Sequence, residues 1–171
     1  MKNFFILIAL TAGLAVPVRA EFKTKAVLSP IPGQTASGVI YFEEKNGVVT
    51  VTGKLQGLKG DTVHGLHILE NGSCFGLDAE GAGDHFNPAG MAHGGPGMPS
   101  HHAGDLGNVR SLKNGSVDFA PLRTSEFSLD NSTRSIVGRS VILHENADDL
   151  VSQPAGNSGG RIACGVIEAA N

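Results

Sequence analysis

The stretch TASGVIYFEEKNGVVTVTGKL, residues 35–55, decides the fold class of this chain. It contains two β-rich runs, Thr35 to Phe42 and Val48 to Leu55. Asn46 and Gly47 lie between them, and Asn-Gly is a strong signal for a tight hairpin turn. Residues 49–52 alternate valine with threonine, as a strand with one buried face does. The stretch therefore predicts an antiparallel β-hairpin.

The rest of the chain has the same short-strand character, and helical periodicity is weak throughout. Further candidate strands are Val63 to Leu69, Ser116 to Phe119, Ser135 to His144 and Arg161 to Ile167. Two regions interrupt this pattern: residues 70–108, rich in Gly, His, Pro, Asp and Asn, and residues 145–160, rich in Gly, Asp and Ser. Long loops in a compact domain usually serve a function. The chain is therefore predicted to be all-β, a sandwich with two long functional loops.

The first twenty residues have the pattern of a cleaved secretory signal. Lys2 precedes an apolar run from Phe4 to Val16, and Val-Arg-Ala, ending at Ala20, places small residues where a signal peptidase reads them. A membrane anchor is the alternative, but a spanning helix needs about 20 apolar residues. We therefore expect residues 1–20 to be removed and residues 21–171 to form one domain.

The composition of the exported part argues against nucleic acid as a partner. Of the 13 basic residues in the chain, two lie in the signal, which leaves 11 basic against 16 acidic residues and a net charge of −5. There is no basic stripe of the kind that follows a phosphate backbone. No second apolar run is long enough to cross a bilayer, so no membrane contact is expected after cleavage.

The chain has two cysteines, Cys74 and Cys164. Export places them in an oxidising compartment, where a pair of cysteines is expected to form a disulfide. The alternative is two free buried thiols. A bridge closing a loop of this length would contribute about 4–5 kcal/mol in the chain-entropy model.

The first long loop contains a pattern of metal ligands. His85, His93 and His102 are spaced by eight and nine residues, and Asp105 follows three residues later. Three imidazoles and one carboxylate form a closed tetrahedral set for Zn²⁺, which would order a loop that has no core of its own. Histidines that bind nothing are common in loops, so the spacing by itself leaves that alternative open.

Several motifs of the chain resemble those of the copper/zinc superoxide dismutases, in the same order and with similar spacing. The first group is His64-Gly65-Leu66-His67-Ile68-Leu69-Glu70, His85-Phe86-Asn87-Pro88, His93-Gly94-Gly95-Pro96 and Gly104-Asp105-Leu106-Gly107-Asn108. The second is Val137-Gly138-Arg139-Ser140, His144-Glu145-Asn146-Ala147-Asp148-Asp149-Leu150 and Gly160-Arg161-Ile162-Ala163-Cys164-Gly165-Val166-Ile167. The resemblance implies a Greek-key β-sandwich, or flattened barrel, of about eight antiparallel strands.

The resemblance also implies a role for each matching residue. The copper ligands would be His67, His85 and His144. The ligands of a structural zinc ion would be His85, His93, His102 and Asp105. His85 would bridge the metals and take part in catalysis, and Arg161 would hold the incoming anion beside the copper. Asp148 would join ligands of the two metals, His64 would be a structural histidine near them, and Cys74 and Cys164 would form the family disulfide.

One copper position departs from the family pattern. The family has histidines two residues apart on the copper strand, on one face, and here the second position is Leu69, which has no donor atom. A shifted register with His64 as the missing ligand is disfavoured, because His64 and His67 fall on opposite faces of a strand. Met91 or Met98 could supply a soft sulfur, although methionines more often fill gaps in packing. The copper site is therefore expected to be incomplete.

The second loop departs from the family as well. Residues 145–160 contain no lysine or arginine, and Asn146 is found where a basic residue is frequent in the family. Attraction by local charge can raise association rates by about 10–10³, so its loss should slow the capture of superoxide.

These observations lead to an expected function and two alternatives. The expected function is that of a dismutase that converts superoxide to oxygen and hydrogen peroxide at copper beside structural zinc, with activity weakened by Leu69. The alternatives are a zinc-stabilised, non-enzymatic metal-binding or scaffold protein, and a protein-binding module that keeps only the fold. The short signal favours a bacterial periplasm, and the oligomeric state stays open between monomer and homodimer.

Overall fold

Eight antiparallel strands form one nearly closed sheet in the computed structural model, which describes residues 21–169. The strands are β1 (Phe22–Pro30), β2 (Ser37–Lys45), β3 (Val48–Gln56), β4 (Val63–Leu69), β5 (Asp105–Arg110), β6 (Val117–Thr124), β7 (Ser140–His144) and β8 (Arg161–Ala169). Their order in the sheet is β5-β4-β7-β8-β1-β2-β3-β6, and the two edge strands contact each other. The pairing of β3 with β6 and of β4 with β7 makes Greek-key crossovers, which confirms the expected fold.

The hairpin predicted from residues 35–55 is present as β2 and β3, in register from Ser37↔Gln56 to Lys45↔Val48. Asn46 and Gly47 have φ angles of 55° and 76°, and a type I′ turn requires positive φ at both central positions. Alternate side chains of both strands point into the core, as their period of two predicted.

The core lies between the two halves of the flattened barrel. Its larger cluster contains Ile40 and Phe42 from β2 and Leu66 and Ile68 from β4, all at most 1% exposed. Burial of each such side chain contributes about 1.5–3 kcal/mol. A smaller cluster consists of Ile31, Leu69, Ala79, Ala82, Ile142 and Cys164. We call this smaller group the disulfide cluster; it lies at the end of the sheet where the metal ligands are found.

Two strands were not predicted, and one was predicted too long. Small or polar residues of strand β1, such as Thr24 and Ala26, point into the core, so its sequence does not alternate clearly between apolar and polar residues. Strand β5 contains Asp, Gly and Asn, residues that are rare in strands, and the sheet pairing overrides that preference. The candidate run from Ser135 contains a turn at Gly138, where φ is 84°, and becomes a strand only at Ser140.

Two long loops leave this barrel, and the first of them contains one short helical turn. The histidine loop, residues 70–104, connects β4 to β5 and contains a 3₁₀ turn at Glu80–Ala82. The carboxylate loop, residues 145–160, connects β7 to β8. Among residues 21–169, no helix is long and apolar enough to cross a membrane. The predicted signal, residues 1–20, lies outside the described residues.

Candidate metal centre

Three strands and the histidine loop bring six predicted ligands to one end of the barrel. His67 lies on β4, His144 ends β7, Asp105 begins β5, and the histidine loop supplies the other three, His85, His93 and His102. The histidine loop is fastened to β4, because His85 bridges to Leu69 and Phe86 N–H donates to the Ile68 carbonyl at 2.9 Å. Main-chain pairing thus positions a loop that has no regular structure of its own.

The first ligand cluster is arranged around the carboxylate of Asp105. Its Oδ1 lies 2.7 Å from Nδ1 of His85 and 3.2 Å from Nδ1 of His102, and its Oδ2 lies 3.0 Å from Nδ1 of His93. All four residues are buried. Burial raises the pKa of Asp105, but hydrogen bonds from His85 and from the His102 and Gly94 amides outweigh it and lower that pKa to about 2. Asp105 is therefore a carboxylate at neutral pH.

The environment of Nδ1 of His93 indicates that this cluster can bind a metal ion. This nitrogen is buried and makes no hydrogen bond, although Asp105 Oδ2 is only 3.0 Å away. A nitrogen and an oxygen that converge without sharing a proton are typical of two ligands of one cation. Three imidazoles and a carboxylate fit the tetrahedral set of Zn²⁺, so the residues present suit the zinc ion that the spacing predicted.

The second cluster consists of His67, His85 and His144. The ring centroid of His67 lies 4.0 Å from that of His85 and 4.9 Å from that of His144. Nδ1 of His67 and Nε2 of His144 are buried without a hydrogen-bond partner. Burial, together with neighbouring histidines, lowers the pKa of His67 to about 4 and that of His144 to about 3, although Asp148 acts in the opposite direction on His67. Both rings are neutral at pH 7 and carry free lone pairs, which suits copper.

His85 belongs to both clusters. Its Nδ1 faces Asp105 and the first cluster, so Nε2 is the ring atom left for the second. An imidazole with its two nitrogens directed at two neighbouring sites can bridge two metal ions.

Asp148 of the carboxylate loop connects the clusters from the opposite side. Its Oδ2 accepts from Nε2 of His67 at 2.9 Å, and its Oδ1 accepts from Nε2 of His93 at 3.0 Å. Burial raises its pKa, but these two hydrogen bonds prevail and hold the pKa well below the ordinary range. With Nε2 protonated on both histidines, Nδ1 of each is left as the free lone pair, which explains the two unpartnered Nδ1 atoms.

His64 lies outside both clusters. Its Nδ1 donates to the His144 carbonyl at 2.9 Å, and its Nε2 lies 2.7 Å from Thr62 Oγ1. Both ring nitrogens have partners, so His64 is not placed to replace a missing ligand. It braces the backbone of His144 instead.

Leu69, the position that departs from the family pattern, does not belong to the second cluster. It is two residues from His67 on β4, is 1% exposed and packs in the disulfide cluster against Ala79, Ala82 and Ile142. Leucine offers no donor atom, and the structure places no other His, Cys, Asp or Glu of residues 21–169 in that three-histidine group. Met91 and Met98 are 41% and 42% exposed rather than filling core gaps, and Met98 Sδ accepts from Gly95 N–H.

Arg161 begins β8 directly opposite His144. Its Nη1 donates to the Ala79 carbonyl at 2.6 Å, and its Nη2 donates to the Gly83 carbonyl at 2.7 Å. These two bonds hold the guanidinium against the histidine loop, close enough that its charge helps to lower the pKa of His144.

The predicted disulfide is confirmed. Cys74 and Cys164 are bonded, with their Cα atoms 5.8 Å apart, and the bridge ties the histidine loop to β8. Three other residues of the site were missed from the sequence: Asn108, Gln153 and Gly156. Asn108 bonds both the amide and the carbonyl of Asp148 through its side chain, each at 2.8 Å. Of these three, only Asn108 lies in a motif that resembles the family, Gly104-Asp105-Leu106-Gly107-Asn108.

Fold and site together define a β-barrel metalloprotein with two adjacent histidine clusters that share one imidazole. The sequence model of the copper/zinc superoxide dismutase family matches residues 36–167 of this chain. The chain is also 39% identical over 147 residues to superoxide dismutase [Cu-Zn] 4 of Dictyostelium discoideum, across 80% of this chain and 93% of that protein. The chain belongs to the copper/zinc superoxide dismutase family.

Proposed function

We propose that this protein converts superoxide to oxygen and hydrogen peroxide, at a copper site next to a structural zinc site. The observation that carries the proposal is the position of His85, which belongs to both ligand clusters. His85, His93, His102 and Asp105 would hold zinc, and His67, His85 and His144 would hold copper. Copper, when bound, supplies the one-electron chemistry of the reaction.

The protein's own residues would orient the ligands and hold the substrate. Asp148 keeps the Nε2 protons of His67 and His93, so their Nδ1 lone pairs stay directed into the site. The guanidinium of Arg161, fixed by two carbonyls, would attract the superoxide anion and keep it beside His144. Burial of the histidines excludes water from the ligand atoms.

We further propose that activity is weak, for two reasons. Because Leu69 replaces the fourth histidine that the family resemblance places on β4, the second cluster offers only three imidazoles, whereas Cu²⁺ favours tetragonal coordination. The surroundings also oppose an anion, because the cleft beside His85 and His102 is bordered by Glu70 and Asp84 and the carboxylate loop has no basic residue. Loss of a residue that supports a ligand typically costs about 10–100-fold in metal affinity, and loss of the ligand itself should cost at least that.

The test is metal content and superoxide decay after loading with copper and zinc, for the natural chain, Leu69→His and Leu69→Ile. We expect one zinc per chain in all three, weak copper retention and slow decay in the natural chain, and a gain in both for Leu69→His. Leu69→Ile keeps an apolar side chain of similar volume and controls for disturbed packing. Zinc without copper and without activity in the natural chain would favour the non-enzymatic metal-binding alternative. Equal activity in the natural chain and Leu69→His would contradict the role given to Leu69.

We also propose export to a periplasm with cleavage after Ala20. The mass of the protein recovered from that compartment should begin at Glu21, and a mass that retains residues 1–20 would contradict it. We further expect a homodimer. The molecular mass of the protein in solution tests this, and the mass of a single chain would contradict it.

A further inference from the structure

The side-chain amide of Gln153 is paired with the backbone of His93. Its Oε1 accepts from the His93 N–H at 2.8 Å, and its Nε2 donates to the His93 carbonyl at 3.0 Å. The same Nε2 donates to the Val151 carbonyl at 3.1 Å, within the carboxylate loop. Both amide hydrogens and the amide oxygen are therefore used, and this fixes which way the amide faces.

His93 is held at three points by the carboxylate loop. Gln153 holds its peptide groups, and Asp148 accepts from ring Nε2 at 3.0 Å. Gly156 packs against the far end of the ring, where an added Cβ would lie 2.6 Å from Nε2. With the backbone fixed at one end and the ring at the other, the direction of Nδ1 towards Asp105 is determined.

We propose that Gln153 is a positioning residue for the zinc cluster: its amide sets the orientation of the His93 backbone and so keeps His93 Nδ1 aimed at the metal position. The inference rests on the zinc site of the proposed function. Because Gln153 and Asp148 belong to the same loop, retention of the metal and closure of the carboxylate loop are coupled. By linkage, a metal at His93 stabilises the closed loop as much as the closed loop stabilises the metal.

Gln153 suits a test by substitution, because it is exposed while its partner His93 is only 4% exposed. Removal of its amide leaves no cavity in the core. If the hydrogen bonds of Gln153 served folding alone, they would stabilise the metal-free protein. If Gln153 is a positioning residue, they affect the rate of metal loss and the geometry of the ligands. These two roles predict different measurements.

The experiment compares the natural chain with Gln153→Ala, Gln153→Glu and Gln56→Ala. Gln153→Glu keeps the length and the acceptor but turns an oxygen towards two carbonyls that now receive hydrogen bonds. Gln56 is an exposed glutamine at the end of β3 and serves as the matched control. Three quantities are measured: the rate of Zn²⁺ release to a chromophoric chelator, the visible absorption of Co²⁺ bound in place of zinc, and the melting temperature of the metal-free protein.

We expect Zn²⁺ release to be about 10-fold faster in Gln153→Ala, at the lower end of the effect of residues that support ligands, and at least as fast in Gln153→Glu. The Co²⁺ spectrum should change in both, while the metal-free melting temperature stays close to that of Gln56→Ala. Unchanged release, or faster release with an unchanged Co²⁺ spectrum and an equal loss of metal-free stability, would overturn the inference. Failure of the natural chain to bind one Zn²⁺ would instead contradict the proposed function.

Discussion

Single residues decide how the two clusters differ. His67 and Leu69 occupy the same face of β4, yet one directs a free nitrogen into the site and the other packs into the disulfide cluster. Leu69 therefore has a structural role beyond the absence of a donor, since it joins β4 to the apolar contacts of Ala79 and Ala82. A histidine at position 69 would add an imidazole on the same face of β4 as His67 and would lose part of this packing.

Gly156 is a second residue on which the site depends. It has a φ of 65°, and an added Cβ would overlap Asp148 Oδ1 as well as approach His93 Nε2. We expect Gly156→Ala to break the Asp148–His93 hydrogen bond and to lower zinc affinity by at least about 10-fold. Competition for Zn²⁺ with a chelator of known affinity measures the effect.

Gly90→Ala is the matched control for backbone strain. Gly90 has nearly the same φ, 64°, but nothing lies within 4 Å of an added Cβ. The free energy of unfolding of Gly90→Ala should fall by only roughly 1–2 kcal/mol, which is the cost of the left-handed conformation for a residue with a Cβ. Its zinc affinity should stay unchanged. If both variants lose the same zinc affinity, the close approach of Gly156 to the ligands is not what matters.

Among the elements of the fold, three strands and the histidine loop share the predicted ligands equally, with three ligands from each. Strands β4, β7 and β8 are neighbours, so His67, His144 and Arg161 reach the same end of the barrel. The carboxylate loop then contacts the histidine loop through Asp148 and Gln153, and it contacts strand β5 through the pair Asn108–Asp148. The carboxylate loop thus orients two of the predicted metal ligands, but it carries no basic side chain that would attract the proposed anionic substrate.

This charge leads to a prediction for the carboxylate loop. Val151 is 70% exposed and lies among residues that carry no basic side chain. We expect Val151→Lys to raise kcat/KM for superoxide at low ionic strength, within the roughly 10–10³-fold range of electrostatic steering, and the gain to fade above about 0.15 M salt. Pulse radiolysis over a series of salt concentrations measures it.

Val27→Lys is the control for the overall charge. Val27 is 55% exposed on β1, outside both loops, so the same charge is added to the protein away from the carboxylate loop. A gain of equal size in both variants would show that net charge, rather than charge on this loop, limits capture.

At the scale of the whole molecule, the buried histidines link stability to pH in the metal-free protein. The pKa values of His67 and His144, about 4 and about 3, lie below the ordinary 6.5 because of burial. Between pH 6.5 and 4 the unfolded chain therefore binds protons that the folded protein does not. The free energy of unfolding should fall as the pH falls through this range, by up to about 1.4 kcal/mol per pH unit for each histidine.

Urea unfolding of chelator-treated protein between pH 7.5 and 4 measures this slope. His144→Gln removes one titrating ring and should make the slope smaller, with the rest coming from His67 and from His102, whose pKa burial also lowers. A stability that is flat over this range in the natural chain would mean that the rings are not held neutral by burial.

Short-range patterns predicted the fold class and the hairpin, the order of several motifs predicted the family, and the count of two cysteines predicted a disulfide that the structure then confirmed. Such features can be recognised without knowing which residues lie nearby in space. Examples are the period of two in residues 49–52, the Asn46-Gly47 turn and the presence of two cysteines. Strands β1 and β5 escaped prediction, since sheet pairing rather than local preference makes Thr24 and Asp105 part of strands.

The exact partners of the supporting residues, and the role of Gln153, follow only from contacts between distant parts of the chain. Gln153 is 60 residues from His93 along the chain and Asp148 is 81 from His67, and nothing in a Ser-Gln-Pro segment marks its partner. The structure also decided that Leu69 packs with Ala79 and that His64 braces His144. Such contacts arise when two loops close over one end of a barrel, and the closure depends on the whole sheet rather than on any local pattern.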